Sequence, residues 1–191
     1  KKGLGISLAA KRIDNMDFRS DRNAAFNNLN INFLPPTTKQ HTYRLATLFP
    51  YATQTTGEMG IQAEVFYNIK KDSPLGGHYG TTVTFNFSRL HNLYREAATD
   101  PDMGYTAPFL KVGTLNFQDI NLEISHKFSK RFKGTAQFLY FEYDKLLFKQ
   151  LTGFNTSEHV RSHVQIVDLS YKVKTKQTLR MEFQHVLTKQ E

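Results

Sequence analysis

Apolar and polar residues alternate one by one along several stretches of the chain. Between Met59 and Ile69 nearly every second residue is apolar, and the residues between them are mainly amides and charges. A period of two residues is that of a β-strand with two unlike faces, and it does not fit a helix. The same alternation recurs over residues 4–10, 82–88, 119–125, 136–144, 162–173 and 179–184.

Stretches rich in glycine, proline and polar residues separate these runs, as expected of antiparallel hairpins. Two shorter apolar runs, residues 29–34 and 43–49, flank a predicted turn at residues 35–40. Leu115 and Phe117 fall in the opposite parity to Ile120, which indicates a β-bulge near Gln118. We therefore predict an all-β chain of about nine antiparallel up-and-down strands, with residues 1–191 forming a single unit.

The connectors between the predicted strands differ in length in a regular way. Short turns at residues 35–40, 129–133 and 174–176 interleave with longer loops at residues 14–28, 91–112 and 151–158, and only the turn at 71–79 is longer than this order predicts. Transmembrane barrels have short periplasmic turns and long extracellular loops, and their strands of about 9–11 residues exceed the usual globular length. We predict an incomplete section of a transmembrane outer-membrane β-barrel. A soluble sandwich or a closed lipocalin-like barrel is the alternative.

Charge and cysteine content narrow the function classes. The net charge of +8 invites a nucleic-acid interpretation, but lysine and arginine cluster in connectors such as residues 127–133 and 172–176, while the strands carry carboxylates. Basic turns of this kind are usually solvated, so we predict no nucleic-acid partner. The chain has no cysteine, which excludes disulfides and thiolate metal sites. No run approaches the roughly 18 apolar residues of a transmembrane helix.

Two groups of polar residues are candidates for binding. The long loop at residues 91–112 is the likeliest element to contact a ligand or partner, because loops carry function more often than strands do. Its candidate contacts are Tyr94, Arg95, Asp100, Asp102 and Tyr105. The second group is predicted to face the lumen, as a carboxylate field that pairs with arginine and not as a glycosidase acid and base. It comprises Glu123, Glu142, Asp144, Asp168, Arg180 and Glu182.

The histidines do not predict a metal site. His159 and His163 have the spacing that binds zinc on a helix, but on a strand at about 3.3 Å per residue they lie too far apart to share an ion. His163 and His185 fall in the parity of the apolar face near one end, which favours contact with lipid headgroups over a hydrolase, since Ser162 has the opposite parity. We predict no catalytic residue, metal or cofactor.

Three short segments carry a family resemblance: Pro50-Tyr51-Ala52-Thr53-Gln54, Gly57-Glu58-Met59-Gly60, and Leu75-Gly76-Gly77 followed by Tyr79-Gly80. Together, within residues 46–88, they resemble a family of large outer-membrane β-barrels of unassigned function from Bacteroidota. The resemblance implies no catalytic residues and a protein longer than this chain.

The expected function is therefore passage of solute, or surface binding or assembly, in the bacterial outer membrane. The expected partners are outer-membrane lipid and lipopolysaccharide, together with other outer-membrane proteins. The runner-up function is a soluble all-β binding module, for example for carbohydrate, and a surface enzyme is a third possibility.

Overall fold

Regular structure in this protein is almost entirely β. The computed structural model describes residues 3–21, 23–24, 28–99, 104–145 and 159–190. Nine strands and one short 3₁₀ turn, Ala46–Leu48, occur in them. The strands are β1 (Leu4–Asp14), β2 (Gly57–Ile69), β3 (Thr81–Leu93), β4 (Glu96–Ala97), β5 (Tyr105–Thr106), β6 (Val112–Lys127), β7 (Phe132–Asp144), β8 (His159–Lys174) and β9 (Gln177–Gln190).

Seven of these strands form one sheet, in the order β1-β2-β3-β6-β7-β8-β9. Every neighbouring pair is antiparallel, so the predicted series of up-and-down hairpins is confirmed. β4 and β5 form a separate two-stranded ribbon within the loop between β3 and β6. The sheet is open, because β1 and β9 each pair on one side only.

The two short runs predicted as strands at residues 29–34 and 43–49 are not strands, and the predicted turn at 35–40 is not a hairpin turn. The apolar residues of the second run instead pack their side chains on one face of the sheet. The bulge predicted near Gln118 lies two residues away, where Leu90 opposes Phe117 but His91 opposes Leu115. The predicted loop at residues 151–158 lies outside the described residues.

Connector length differs between the two ends of the sheet, although the short turn predicted at residues 35–40 does not occur. At one end, hereafter the turn end, residues 70–80, 128–131 and 175–176 join the strands, and the first of these is the longer exception that the sequence predicts. At the opposite end, the loop end, the connectors span residues 15–56, 94–111 and 145–158. No helix among the described residues is both long enough and apolar enough to cross a membrane.

Strict alternation gives the sheet two unlike faces. One face, hereafter the apolar face, is built of aliphatic and aromatic side chains, and a single cross-strand row runs from Leu8 through Ala63, Phe87 and Ile120 to Tyr140. Many of its side chains are at least 36% exposed: Leu4, Ile6, Leu8, Ile61, Phe85, Leu122, Ile124, Phe138, Val167, Tyr171, Val173, Leu179, Met181, Phe183 and Leu187.

The core lies on the other face, hereafter the polar face. Residues 36–54, hereafter the covering segment, cross this face and bury a compact apolar cluster against the middle strands. The fully buried side chains of the cluster include Leu90, Phe117 and Phe141, and Tyr43, Phe49 and Tyr51 of the covering segment pack on them. The core is therefore a layer between a sheet and a loop.

This placement of the core predicts unequal effects for two phenylalanines of β7. Phe141 is fully buried and Phe138, on the apolar face, is 52% exposed. We expect Phe141→Ala to lower the free energy of unfolding by about 3–5 kcal/mol and Phe138→Ala by only about 1 kcal/mol, because little contact is lost at an exposed ring. Urea unfolding followed by far-ultraviolet circular dichroism measures both, and equal losses would contradict the core described here.

Candidate functional site: the covered polar face

The covering segment is held on the polar face by a series of polar contacts at alternate residues. Lys39 Nζ lies 3.1 Å from Glu64 Oε2 on β2, and His41 Nε2 lies 2.7 Å from Asp119 Oδ2 on β6. Tyr43 donates its hydroxyl to Asp168 Oδ2 on β8 at 3.0 Å, and the backbone N–H of Leu45 donates to Gln184 Oε1 on β9 at 2.7 Å. Alternate residues of an extended chain point the same way, so the segment crosses the strands with one side towards the sheet.

The dimensions fit such a crossing. Extended chain rises about 3.3 Å per residue, so the stretch from Lys39 to Leu45 spans roughly 20 Å. The strands they contact, from β2 to β9, are five steps apart in the sheet, or roughly 24 Å at about 4.8 Å per step. Side-chain reach makes up the difference. The contacts are thus distributed over nearly the full width of the sheet.

After the 3₁₀ turn the segment returns across the sheet on aromatic contacts. Phe49 stacks on Phe141 with ring centroids 4.7 Å apart, and Tyr51 packs on Phe117 at 5.1 Å. The Tyr51 hydroxyl donates to Glu58, and burial together with that carboxylate raises the pKa of the Tyr51 phenol. The outward path is therefore polar and the return path is largely apolar.

Glu58 joins the two ends of the covering segment. Its side chain is fully buried and its Oε2 accepts from the Tyr51 hydroxyl and from the backbone N–H of Gln54. Lys11 Nζ lies 2.9 Å from Glu58 Oε1 and also donates to Thr53 Oγ1 at 2.7 Å and to the carbonyl oxygen of Pro35 at 3.0 Å. One buried carboxylate and one lysine therefore fix where the segment enters and leaves the sheet.

Four of the six predicted lumen-facing residues come together on the polar face. Arg180 donates to both oxygens of Asp168, at 2.8–3.1 Å, and to Glu182 Oε2 at 2.9 Å. Its guanidinium lies 5.9 Å from the Tyr43 ring centroid, and Glu123 acts electrostatically on the same tyrosine. Arg180 therefore pairs with two strand carboxylates, Asp168 and Glu182, beside Tyr43.

Glu142 and Asp144 do not belong to that group. Glu123 is paired with Gln137, so the even-numbered residues of β7 lie on the opposite side of the sheet, with Phe138. Glu142 accepts from the Tyr140 hydroxyl at 2.9 Å and lies 3.3 Å from Arg161. The interpretation of all six residues as one field is corrected in this respect, because period-two alternation places odd and even residues of a strand on different faces.

The candidate loop residues are engaged within the chain. Arg95 lies over the Tyr105 ring, 4.5 Å from its centroid, and both side chains contact Asp14 at the end of β1. Tyr94 packs under Lys111, whose Nζ lies 5.1 Å from the ring centroid. These contacts fold the long loop back on the sheet. Asp100 and Asp102 lie outside the described residues.

The path of the covering segment was not predicted from the sequence, because the apolar run at residues 43–49 predicts a strand. The available signal is the alternation Lys39, His41, Tyr43, in which each residue type can bind a carboxylate. The partner of His41, Asp119, belongs to one of the alternating stretches, but a pair so far apart in the chain has no local sequence pattern that predicts it.

The site contains several buried polar side chains. A histidine hydrogen-bonded to an aspartate, as in the His41–Asp119 pair, is the combination that serves as general base in many hydrolases. The His41 side chain, however, is only 5% exposed. The buried Asn121 amide and Gln137 Oε1 have no hydrogen-bond partner among the described residues. Within the same residues no three histidine, aspartate or glutamate side chains are grouped so as to hold a metal ion. A cavity of about 300 Å³ is lined mainly by residues of the covering segment, among them Lys39 and Tyr51.

Comparison with known proteins assigns a family. The model of the family of unknown function DUF6029 matches residues 1–191, so the chain belongs to that family. No curated protein and no solved structure matches the chain. The family description specifies neither an activity nor a cellular location.

The Tyr43 contact predicts a loss of stability at alkaline pH. Burial and the hydrogen bond to Asp168 raise the pKa of Tyr43 to about 12. The folded state thus holds the phenol proton more tightly than the unfolded state, whose pKa is about 10. The stabilisation is complete below pH 10 and is lost as the pH rises through about 12. We expect the advantage of the wild type over Tyr43→Phe in urea unfolding to disappear across that interval.

Tyr171→Phe is the matched control for this experiment. Its ring lies on the apolar face, is 45% exposed and has no carboxylate partner among the described residues. A Tyr43→Phe difference that did not change between about pH 9 and pH 12 would contradict the predicted linkage.

Proposed function

We propose that this chain is a section of an outer-membrane β-barrel whose polar, lumenal face is closed by its own covering segment. The observation that carries the proposal is the unlike character of the two faces. The exposed apolar face extends across all seven strands of the main sheet, whereas the carboxylates Glu64, Asp119 and Asp168 of the opposite face contact the covering segment. Exposed apolar surface of this extent on a single-layer sheet fits contact with lipid.

The slant of the apolar face supports the same proposal. The cross-strand row that starts at Leu8 reaches His163 on β8, whereas the apolar residues of β8 begin at Val167, nearer the turn end. From β1 to β8 the apolar band is thus displaced towards the turn end, although Leu187 of β9, which opposes His163, lies in the same row as Leu8. Strands tilted by about 35–45° to a bilayer produce such a displacement.

At the loop end, the apolar face is bounded by a row of polar residues that lie opposite one another on neighbouring strands. Arg89 opposes Gln118, which opposes Glu142, and Glu142 opposes Arg161. Next to this row Tyr140 packs against His163 with ring centroids 5.1 Å apart. A row of charged and aromatic side chains at the edge of an apolar band is typical of a membrane interface and fits the expected headgroup contacts of His163.

The covered polar face favours surface binding or assembly over free passage of solute. The covering segment occupies the face that would line a pore, and its contacts reach from β2 to β9. A closed barrel needs further strands beyond the two open edges, and the proposed barrel includes them. The alternative, a soluble carbohydrate-binding module, requires another protein surface to cover the apolar face.

Single cysteines at neighbouring positions test the membrane assignment. Residues 1–191 contain no cysteine, so each introduced thiol is the only one among them, and any cysteine elsewhere in the full-length protein is replaced by serine. Ile124→Cys lies on the apolar face and Glu123→Cys on the polar face of the same strand. In the full-length protein reconstituted into lipid bilayers, we expect lipids with brominated acyl chains to quench a fluorophore at position 124 strongly and one at 123 weakly.

The glutamate position is the control for depth, since the two residues are adjacent in β6. Recovery of the protein from the aqueous phase without detergent, as a stable monomer, would contradict the membrane assignment. Equal quenching at the two positions would do so as well.

Single-channel recording tests the closure of the lumen. His41 is the only hydrogen-bond partner of the Asp119 carboxylate among the described residues, and breaking such a buried pair costs about 3–5 kcal/mol. We expect the full-length wild type to conduct little and His41→Ala to show larger openings, because the covering segment is released. Lys39→Ala is the control, since the more exposed Lys39–Glu64 pair contributes less than about 1 kcal/mol. A folded His41→Ala protein that stays as closed as the wild type would refute this role.

A further inference from the structure

The turn end of the sheet is strongly basic. Its only described carboxylate is Asp72, which is already paired with His78 at 2.7 Å. The cations there are Lys70, Lys71, Lys127, Lys130, Arg131, Lys133, Lys172, Lys174 and Lys176. Basic side chains on isolated turns are usually just solvated. A binding site for an anion requires that several of them lie close together.

Four of these lysines surround one cavity. A cavity of about 560 Å³ between the ends of β2, β3, β6 and β7 is lined by Lys70, Lys71, Lys127 and Lys133, with hydroxyl and amide side chains between them. No aspartate or glutamate of the part of the chain that the structure describes lines it. Lys127 Nζ also lies 5.4 Å from the ring centroid of Tyr79, which lines the same cavity.

Lys127 and Lys133 lie directly opposite each other on β6 and β7. Like charges in that position destabilise a sheet. Neither ammonium group has an ion pair among the described residues. Lys133 interacts electrostatically with Asp168, but that carboxylate already forms an ion pair with Arg180. An anion bound between the two lysines would offset their repulsion.

The turn that carries Lys70 and Lys71 is built rigidly. Ser73 donates its hydroxyl to the carbonyl oxygen of Lys70 at 2.6 Å, and Thr81 donates to that of Leu75 at 2.7 Å. A Cβ on Gly76 would lie 1.8 Å from the Lys70 carbonyl oxygen, so this close approach requires glycine. This turn, which is longer than the order of connector lengths predicts, therefore holds Lys70 and Lys71 at the cavity.

We propose that this cavity is a binding site for phosphate groups. Lysine ammonium groups bind phosphate as point charges, and the side-chain amide of Asn68 and the hydroxyl of Ser125, which line the cavity, can donate further hydrogen bonds. A phosphate monoester carries about −1.5 to −2 charges at pH 7 and would neutralise about half the charge of the four lysines. A neutral sugar would leave the lysines unneutralised. The site does not depend on the sheet lying in a membrane.

Two sources supply this chemistry, soluble phosphate esters and phospholipid headgroups. Isothermal titration of the full-length protein in a neutral detergent, first with pyrophosphate and then with short-chain phosphatidylglycerol, separates them. Short-chain phosphatidylcholine, whose choline cancels the phosphate charge, is the lipid control. Binding of either anionic probe, weakening as salt is added, supports the site and identifies its source.

Matched double variants test the location. We expect Lys127→Gln with Lys133→Gln to weaken binding at least about tenfold, and Lys172→Gln with Lys174→Gln, which removes equal charge at the same end but outside the cavity, to weaken it less than about threefold. Should the first pair disturb the β-sheet circular dichroism signal, Lys70→Gln with Lys71→Gln in the turn carries the same expectation. Absence of binding by the wild type, or equal losses inside and outside the cavity, overturns the proposal.

Discussion

The burial of carboxylates on the polar face is the constraint on which the rest of the structure depends. A buried ionised group is costly unless a partner of opposite charge or a hydrogen-bond donor accompanies it. Glu58 and Asp119 are fully buried in the sheet, and their partners come from β1 and from the covering segment. The loop at residues 36–54 is therefore as much a part of the core as any strand.

The same constraint explains why one face of the sheet is covered and the other is open. The covering segment supplies a donor to a different strand at every second residue and then packs its aromatic residues on Phe117 and Phe141. No segment of the described chain crosses the apolar face, and many of its side chains are exposed. Lipid would complete that face as the loop completes the other, which is the basis of the proposed membrane barrel.

The two ends of the sheet differ in charge as well as in connector length. At the loop end, Arg95 and Lys111 are paired with Asp14 and Glu96, so the charges are largely matched within the chain. At the turn end, Lys70, Lys71, Lys127 and Lys133 surround a cavity without a carboxylate. This asymmetry separates an end that folds back on itself from an end that is suited to an external anion.

The sequence by itself determined the seven strands of the main sheet, their antiparallel order and the two faces, because a period of two residues is a local property of β-structure. It also placed Asp168, Arg180 and Glu182 together, since neighbouring strands of a hairpin are paired through a short turn. Tertiary structure decided the path of residues 36–54, the pairing of His41 with Asp119 and the face of Glu142. The two partners of such a contact lie far apart in the chain, and a one-residue difference in strand position reverses the face. No local pattern specifies either of these features.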